Sequence, residues 1–282
     1  MIYQDCYIQG KNELEKAGIE EAALDARLLL EYVCGTNRND LLVHGDRKVE
    51  EALRDRYFEY IGKRKTRIPL QHITGMQEFM GLTFQVNEHV LIPRQDTEIL
   101  VEEVMRKLQD GSRILDMCTG SGCILISLLH YSNHCRGVGA DISKEALQVA
   151  VQNGARLLPA DRQPEFVESD LFEKIEGRFD IIVSNPPYIR TTVIDTLMPE
   201  VKDFEPMQAL DGMEDGLFFY RRIVQQAENY LASEGSLYFE IGHDQGEAVA
   251  GLMKAAGYTD VNIIKDYAGL DRVVYGTLRC GK

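Results

Sequence analysis

Arg113-Ile114-Leu115-Asp116-Met117-Cys118-Thr119-Gly120-Ser121-Gly122, residues 113–122, is the stretch whose reading decides the fold. Its first five residues have strand length, with Ile114, Leu115 and Met117 apolar. The two glycines then allow a sharp turn and a close backbone approach to a ligand. An apolar segment at 121–130 continues as a helix, so the whole reads strand–turn–helix. The same rhythm repeats outward. Strands are expected at 137–140, Glu165–Glu168, 180–184 and 236–241, and helices at 144–155, 217–231 and 245–256. Two strands, 261–264 and 272–278, close the chain with no helix between them. Repeated βα units predict an α/β fold with a doubly wound, mostly parallel seven-stranded sheet. The final strand pair adds an antiparallel edge.

The stretch before residue 70 has a different period. Ala22, Ala26, Leu29, Leu30 and Val33 lie on one helical face that ends at Gly35. Leu53, Tyr57, Tyr60 and Ile61 repeat at helical spacing between charges. Pro69 and Gly75 break the pattern. Glu78 to Val86 reads as a hairpin turning at Gly81, and a helix starts at Asp96. The expected division is a small all-helical domain at 1–70, a linker with a β-hairpin at 71–95, and an α/β domain at 96–282.

Charge is uneven between these parts. Residues 1–75 carry 12 basic and 13 acidic side chains, and the rest carries 19 basic and 32 acidic. An acidic body repels phosphate backbones, so no direct nucleic-acid partner is expected. The Arg54–Arg67 cluster of basic residues reads as a solvated helix face. Cys6, Cys34, Cys118, Cys123, Cys135 and Cys280 form no C-x-x-C pair, which predicts reduced thiols and no metal. No apolar run approaches membrane-spanning length and no export signal is visible, so a cytoplasmic protein is expected.

The loop at 118–122 and the strand ends suggest a nucleoside-containing cofactor. Asp141 follows Gly120 by 21 residues and ends the second strand, where a carboxylate meets ribose hydroxyls. A dinucleotide would ask for a third glycine where Leu125 stands. S-adenosyl-L-methionine, which has no phosphates, fits Cys118, Thr119, Gly120, Ser121 and Gly122 better, with Asp116 expected to face its cationic methionyl end. Asp170 follows the third strand and is expected on the adenine amino group, with Leu171 or Phe172 against the ring.

The fourth strand runs into Asn185-Pro186-Pro187-Tyr188. Two prolines fix φ and remove two donors. The loop therefore presents acceptors, the Asn185 oxygen and a proline carbonyl, beside the flat wall of Tyr188. That set suits a planar NH2 group on an sp2 carbon. Two acceptors would aim the nitrogen lone pair at a sulfonium methyl and stabilise the charge that develops there. Asn185, Pro186 and Tyr188 are the candidate catalytic residues. Asn185 would also approach the cofactor, and all four residues of the tetrapeptide would bind substrate.

At these residues the chain resembles the HemK/PrmC family, protein-(glutamine-N5) methyltransferases acting on peptide chain release factors. The resemblance extends to Leu91–Glu98, to Phe204-Glu205-Pro206 with Ala209-Leu210-Asp211-Gly212, to Glu240-Ile241-Gly242 with Gln245, to residues 269–274, and to Asp25–Leu29. It departs at Cys118 and Met213, where glycines are usual, and at Gln95, where proline is usual. At Cys118 the expectation is a backbone that avoids a glycine-only conformation. The resemblance implies a class I S-adenosylmethionine-dependent methyltransferase sheet and S-adenosyl-L-homocysteine as the spent cofactor. It further implies the glutamine of the Gly-Gly-Gln loop of class 1 release factors as substrate, with the N-terminal helices docking that partner. Residue chemistry by itself leaves two rivals open, an amino methyltransferase of nucleic acids and a non-catalytic adaptor that keeps the fold.

Overall fold

The computed structural model describes residues 1–278. Cys280 lies outside them, and the other five cysteines are free thiols. The chain forms two compact units, Met1–Met76 with Met198–Phe204, and Gln77–Leu197 with the chain from Glu205 onward.

The first unit is helical. Tyr3–Lys16, Ala22–Cys34 and Glu51–Lys65 are its longer helices, and Leu70–Thr74 adds a short one. Leu14, Ala26, Leu29, Leu30, Tyr57 and Ile61 are fully buried where the helices meet. Buried groups must find partners, and the Tyr57 hydroxyl donates to the Ala26 carbonyl at 3.2 Å. Residues 198–204 belong to this unit because of one buried guanidinium. Arg64 donates to Asp25 at 2.7 Å and to Glu200 at 2.9 Å. Arg67 joins Glu200 at 3.2 Å. An arginine fork needs several acceptors, and Asp25, the Ile68 carbonyl at 3.4 Å and Glu200 supply them.

Among the described residues the second unit carries nine strands. They are β1 (Met76–Phe79), β2 (Leu82–Gln85), β3 (Arg113–Met117), β4 (Arg136–Asp141), β5 (Glu165–Glu168), β6 (Phe179–Ser184), β7 (Leu231–Glu240), β8 (Tyr258–Lys265) and β9 (Asp271–Leu278). β1 and β2 form the expected hairpin, turned at Met80 and Gly81, both at positive φ. The other seven form one sheet in the order β5-β4-β3-β6-β7-β9-β8. Pairing is parallel from β5 to β7 and antiparallel at β9 with both β7 and β8. The predicted doubly wound sheet with an antiparallel edge is therefore what forms.

Two boundaries differ most from the sequence reading. The helix expected at 217–231 spans Phe218–Ala227, and β7 begins at Leu231 rather than 236. Leu231 is buried and pairs with Phe179, and the register then shifts before Ile181 pairs with Ser236. A bulge of this kind erases the alternation that marks a strand start.

Helix contact in the first unit leaves no room at Gly10. A Cβ there would land on the Tyr57 hydroxyl, which its hydrogen bond to Ala26 holds in place. Gly10→Ala should therefore destabilise the protein by about 1–3 kcal/mol through overpacking. Urea denaturation followed by circular dichroism checks this, and unchanged stability would contradict it.

Candidate active site

Strand order reverses between β3 and β6, which lie side by side and run parallel. Such a switch point opens a crevice at the carboxyl ends of the strands. The Ser184 hydroxyl closes the floor there, donating to the Met117 carbonyl at 2.7 Å. A cavity of about 630 Å³ opens above this point. Its lining brings together most of the residues singled out in the sequence: Cys118, Thr119, Gly120, Ser121, Asp141, Asp170, Leu171, Asn185 and Pro187.

Asp141 ends β4 and lines the cavity. Its Oδ2 accepts the Gly120 backbone N–H at 2.8 Å and its Oδ1 accepts that of Ser143 at 2.9 Å. Each oxygen has two lone pairs, so neither is saturated by its one backbone donor. Burial raises the carboxyl's pKa, and those backbone donors act against it. Gly122 lies at φ +79, and a Cβ there would come within 2.8 Å of Ile126. Gly120 is also at positive φ, with open space where its Cβ would be. Asp170 lines the cavity and accepts from Arg222 at 3.0 Å.

Several expectations need correction. Asp116 does not face the cavity. It is fully buried, and its Oδ2 accepts the Thr119 hydroxyl at 2.6 Å, so it braces the loop from inside. Phe172 does not cover a cavity ligand, because it packs in the core against Tyr230 with ring centroids 4.6 Å apart. Leu171, at φ +49, is the one of the pair on the cavity wall. Pro186 and Tyr188 are not on the wall either. Tyr188 turns its hydroxyl to Glu240 at 3.4 Å, and burial raises its pKa. Cys118 adopts φ +62, the left-handed region that favours glycine, instead of avoiding it. Met213, the other glycine replacement, does the same at φ +70.

The sequence reading passed over other wall residues. Thr97 is buried and receives Nδ2 of Asn185 at 3.5 Å. Arg94 clamps the buried Glu205, its Nη2 donating to Oε1 at 2.6 Å and Oε2 at 2.8 Å. Ile142 lines the cavity yet is 60% exposed, an apolar side chain left in solvent beside Asp141. Gln245 holds the Tyr188 carbonyl at 3.0 Å and that of Gly216 at 3.2 Å. Backbone bonds from Ile189 to Leu210 and from Gly212 to Ile189 fix the exit of the tetrapeptide. A Cβ at Gly212 would lie 2.7 Å from the Tyr188 backbone.

With this geometry in place, the comparisons are informative. Residues 5–75 match the family PrmC N-terminal domain, and residues 94–200 match the family Methyltransferase small domain. A solved methyltransferase from Pyrococcus furiosus superposes with a TM-score of 0.55 at 16% identity, covering 78% of this chain and 100% of that one. The fold is that of a methyltransferase. A release factor glutamine methyltransferase of Clostridium botulinum is 42% identical over 97% of this chain and 98% of its own length. One from Agrobacterium fabrum is 40% identical over 95% of this chain and 94% of its own length. The chain belongs to the release factor glutamine methyltransferase family.

Burial pushes the pKa of Asp116 up to about 7, with the Thr119 hydroxyl and the Leu125 N–H opposing it. In the unfolded chain a carboxyl of this type titrates near 4. Its neutral form thus favours folding. That stability is fully present below about pH 4 and is lost as pH rises towards 7. Asp116→Asn, neutral throughout, should gain stability relative to the parent over that window. Urea denaturation at pH 4, 5.5 and 7 measures the difference, and a constant difference would refute the shift.

Proposed function

We propose that this chain transfers a methyl group from S-adenosyl-L-methionine to the side-chain amide nitrogen (N5) of the glutamine in the Gly-Gly-Gln loop of class 1 peptide chain release factors. The observation that carries this reading is Asn185, held between β6 and two prolines on the same cavity wall as Asp141 and the glycine loop. The names of the relatives support the substrate. Release factors act where proteins are made, so we place the protein in the cytoplasm. Among the described residues no helix is long and apolar enough to cross a membrane.

The cavity residues fit the cofactor. Asp141 is ready to accept from two ribose hydroxyls, Leu171 and Ile142 offer apolar surface to the adenine, and Asp170 offers its amino group an acceptor. The buried Leu125, where a dinucleotide fold has glycine, argues against a dinucleotide. When bound, S-adenosyl-L-methionine supplies an electrophilic sulfonium methyl and leaves as S-adenosyl-L-homocysteine.

The protein's task is to make an amide nitrogen nucleophilic. Its lone pair is delocalised into the carbonyl. The Asn185 Oδ1 and a carbonyl of the Pro186-Pro187 pair accept its two N–H groups, turning the lone pair towards the methyl. As the N–C bond forms and the S–C bond breaks, those acceptors stabilise the positive charge growing on nitrogen. The proton then leaves to solvent, so no strong base is needed beforehand. Tyr188 stiffens the loop through Glu240 instead of forming the cavity wall.

Asn185→Ala should lower the single-turnover rate of methyl transfer to a release factor by about 10²–10³ at saturating cofactor. Asp141→Ala should instead weaken cofactor affinity, since a charge-assisted bond contributes roughly 1.5–3 kcal/mol. Calorimetry with mass spectrometry of the release factor separates the two. A rate for Asn185→Ala within a few-fold of the parent would reject the mechanism.

We also assign the helical residues 1–70 to docking of the release factor. Hydrogen–deuterium exchange of the full chain should slow in these helices when intact release factor is added. Exchange unchanged at saturating partner would remove the assignment.

A further inference from the structure

Asn153 stands inside the helix Lys144–Leu157 and is fully buried. Ala146, Val149, Ala150 and Asn153 recur at i, i+3, i+4 and i+7, so they share one face of that helix. Asparagine is a weak helix former, and a buried amide must find partners. Leucine, of similar size, would suit this apolar face and the helix better. Asn153 gains something else, because both of its donor hydrogens and its oxygen are engaged. Oδ1 accepts the Gln85 N–H at 2.7 Å. Nδ2 donates to the Gln85 carbonyl and to the Ser121 carbonyl, each at 3.0 Å. The reverse placement of the amide would set NH2 against an N–H and oxygen against two carbonyls, so its orientation is fixed. Gln85 ends β2, and Ser121 belongs to the glycine loop. One side chain therefore holds both to the same helix.

We infer that Asn153 is a positioning residue for the cofactor: by tying Ser121 and Gln85 to one amide, it fixes the spacing between the glycine loop and the opposite cavity wall. The inference rests on the cofactor proposed above. Both partners lead to the cavity, although Asn153 and Gln85 do not line it. Ser121 is on the wall itself. Beyond Gln85, Val86 and Val90 are buried against Ala146 and Val149 of the same helix. His89, Val90, Leu91, Pro93 and Arg94 then line the cavity. A hairpin of two strands is marginal alone, so this wall owes its place to what holds β2 from outside. Arg156 of the same helix donates to the Thr83 carbonyl, which gives the hairpin a second tie. The bond to Ser121 extends the Asn153 tie to the glycine loop. Neither element can shift away without leaving a buried amide or carbonyl unpaired, which is costly.

The test uses the full chain, with S-adenosyl-L-homocysteine as the probe. Asn153→Asp keeps the acceptor and removes both donors, and Asn153→Leu removes all three groups. In variants that melt cooperatively, calorimetry should show affinity for the probe lowered roughly 10- to 100-fold, the usual scale of coupling between linked sites. Single-turnover methyl transfer at saturating cofactor should stay within a few-fold, because Asn185 is untouched. Folded variants that bind the probe with parental affinity would overturn the inference, whatever their melting temperature. The parent is followed by hydrogen exchange with and without the probe. Exchange of the Gln85 N–H should slow on binding by more than that of the β8 amides. Equal slowing at both places would overturn the inference even if neither variant folds. A parent that does not bind the probe would refute the proposed cofactor and this role together, whereas parental binding by the variants would refute this role alone.

Discussion

Parallel pairing of β3 with β6 is the constraint on which the site depends. Ile114, Leu115, Asp116 and Met117 pair in register with Ile181, Ile182, Val183 and Ser184. Both strands therefore end at the same edge, and the loops that leave them must share a crevice. One loop turns through glycines with its backbone near Asp141, and the other is stiffened by two prolines around Asn185. Chain direction thus brings the glycine loop and the Asn185 loop to one cavity before any side chain makes a specific contact. The hydrogen bond from Ser184 to Met117 joins the two strands at the last residue of each.

Around that crevice the backbone is held in costly conformations. Cys118, Leu171 and Met213 all line the cavity and all lie in the left-handed region. For a residue with a Cβ, each such conformation costs of order 1 kcal/mol or more. The neighbouring bonds explain why it persists. The Thr119 N–H is fixed on the Ala140 carbonyl next to Cys118. The Ser169 hydroxyl donates to the Leu171 carbonyl at 2.8 Å. The Met213 N–H donates to Asp211 at 2.8 Å. Strain gathered at one cavity is what a site needs when its groups must stay in place without a ligand.

Much of this was legible in the sequence. The strand–helix rhythm showed all seven strands of the sheet and its antiparallel edge, most plainly at β6 and β7, whose buried apolar residues stand out. That the glycine loop, Asp141, Leu171 and Asn185 gather at one cavity was legible because each follows the end of a strand, and the fold puts those ends together. Asp116 was misread for a related reason. β3 is buried along most of its length, so it has no alternation to show which way a side chain points. Phe172 failed likewise, since an aromatic beside a site is as easily core as wall. The pairs Asn185–Thr97 and Arg94–Glu205 were out of reach, because they span 88 and 111 residues and no local pattern carries them.

The helical unit has a consequence for how the protein is made. Arg64 leaves the ribosome among the first residues, with Asp25 already available. Its second carboxylate, Glu200, follows 136 residues later. Until then the guanidinium has Asp25 and the Ile68 carbonyl but lacks its second carboxylate, and leaving a buried charge underpaired is destabilising. The nascent helices can collapse early around Leu29, Tyr57 and Ile61, yet they cannot reach their final form as a finished N-terminal piece. Synthesis of the strands through β6 comes in between. The order of translation therefore makes completion of the first unit wait on most of the second.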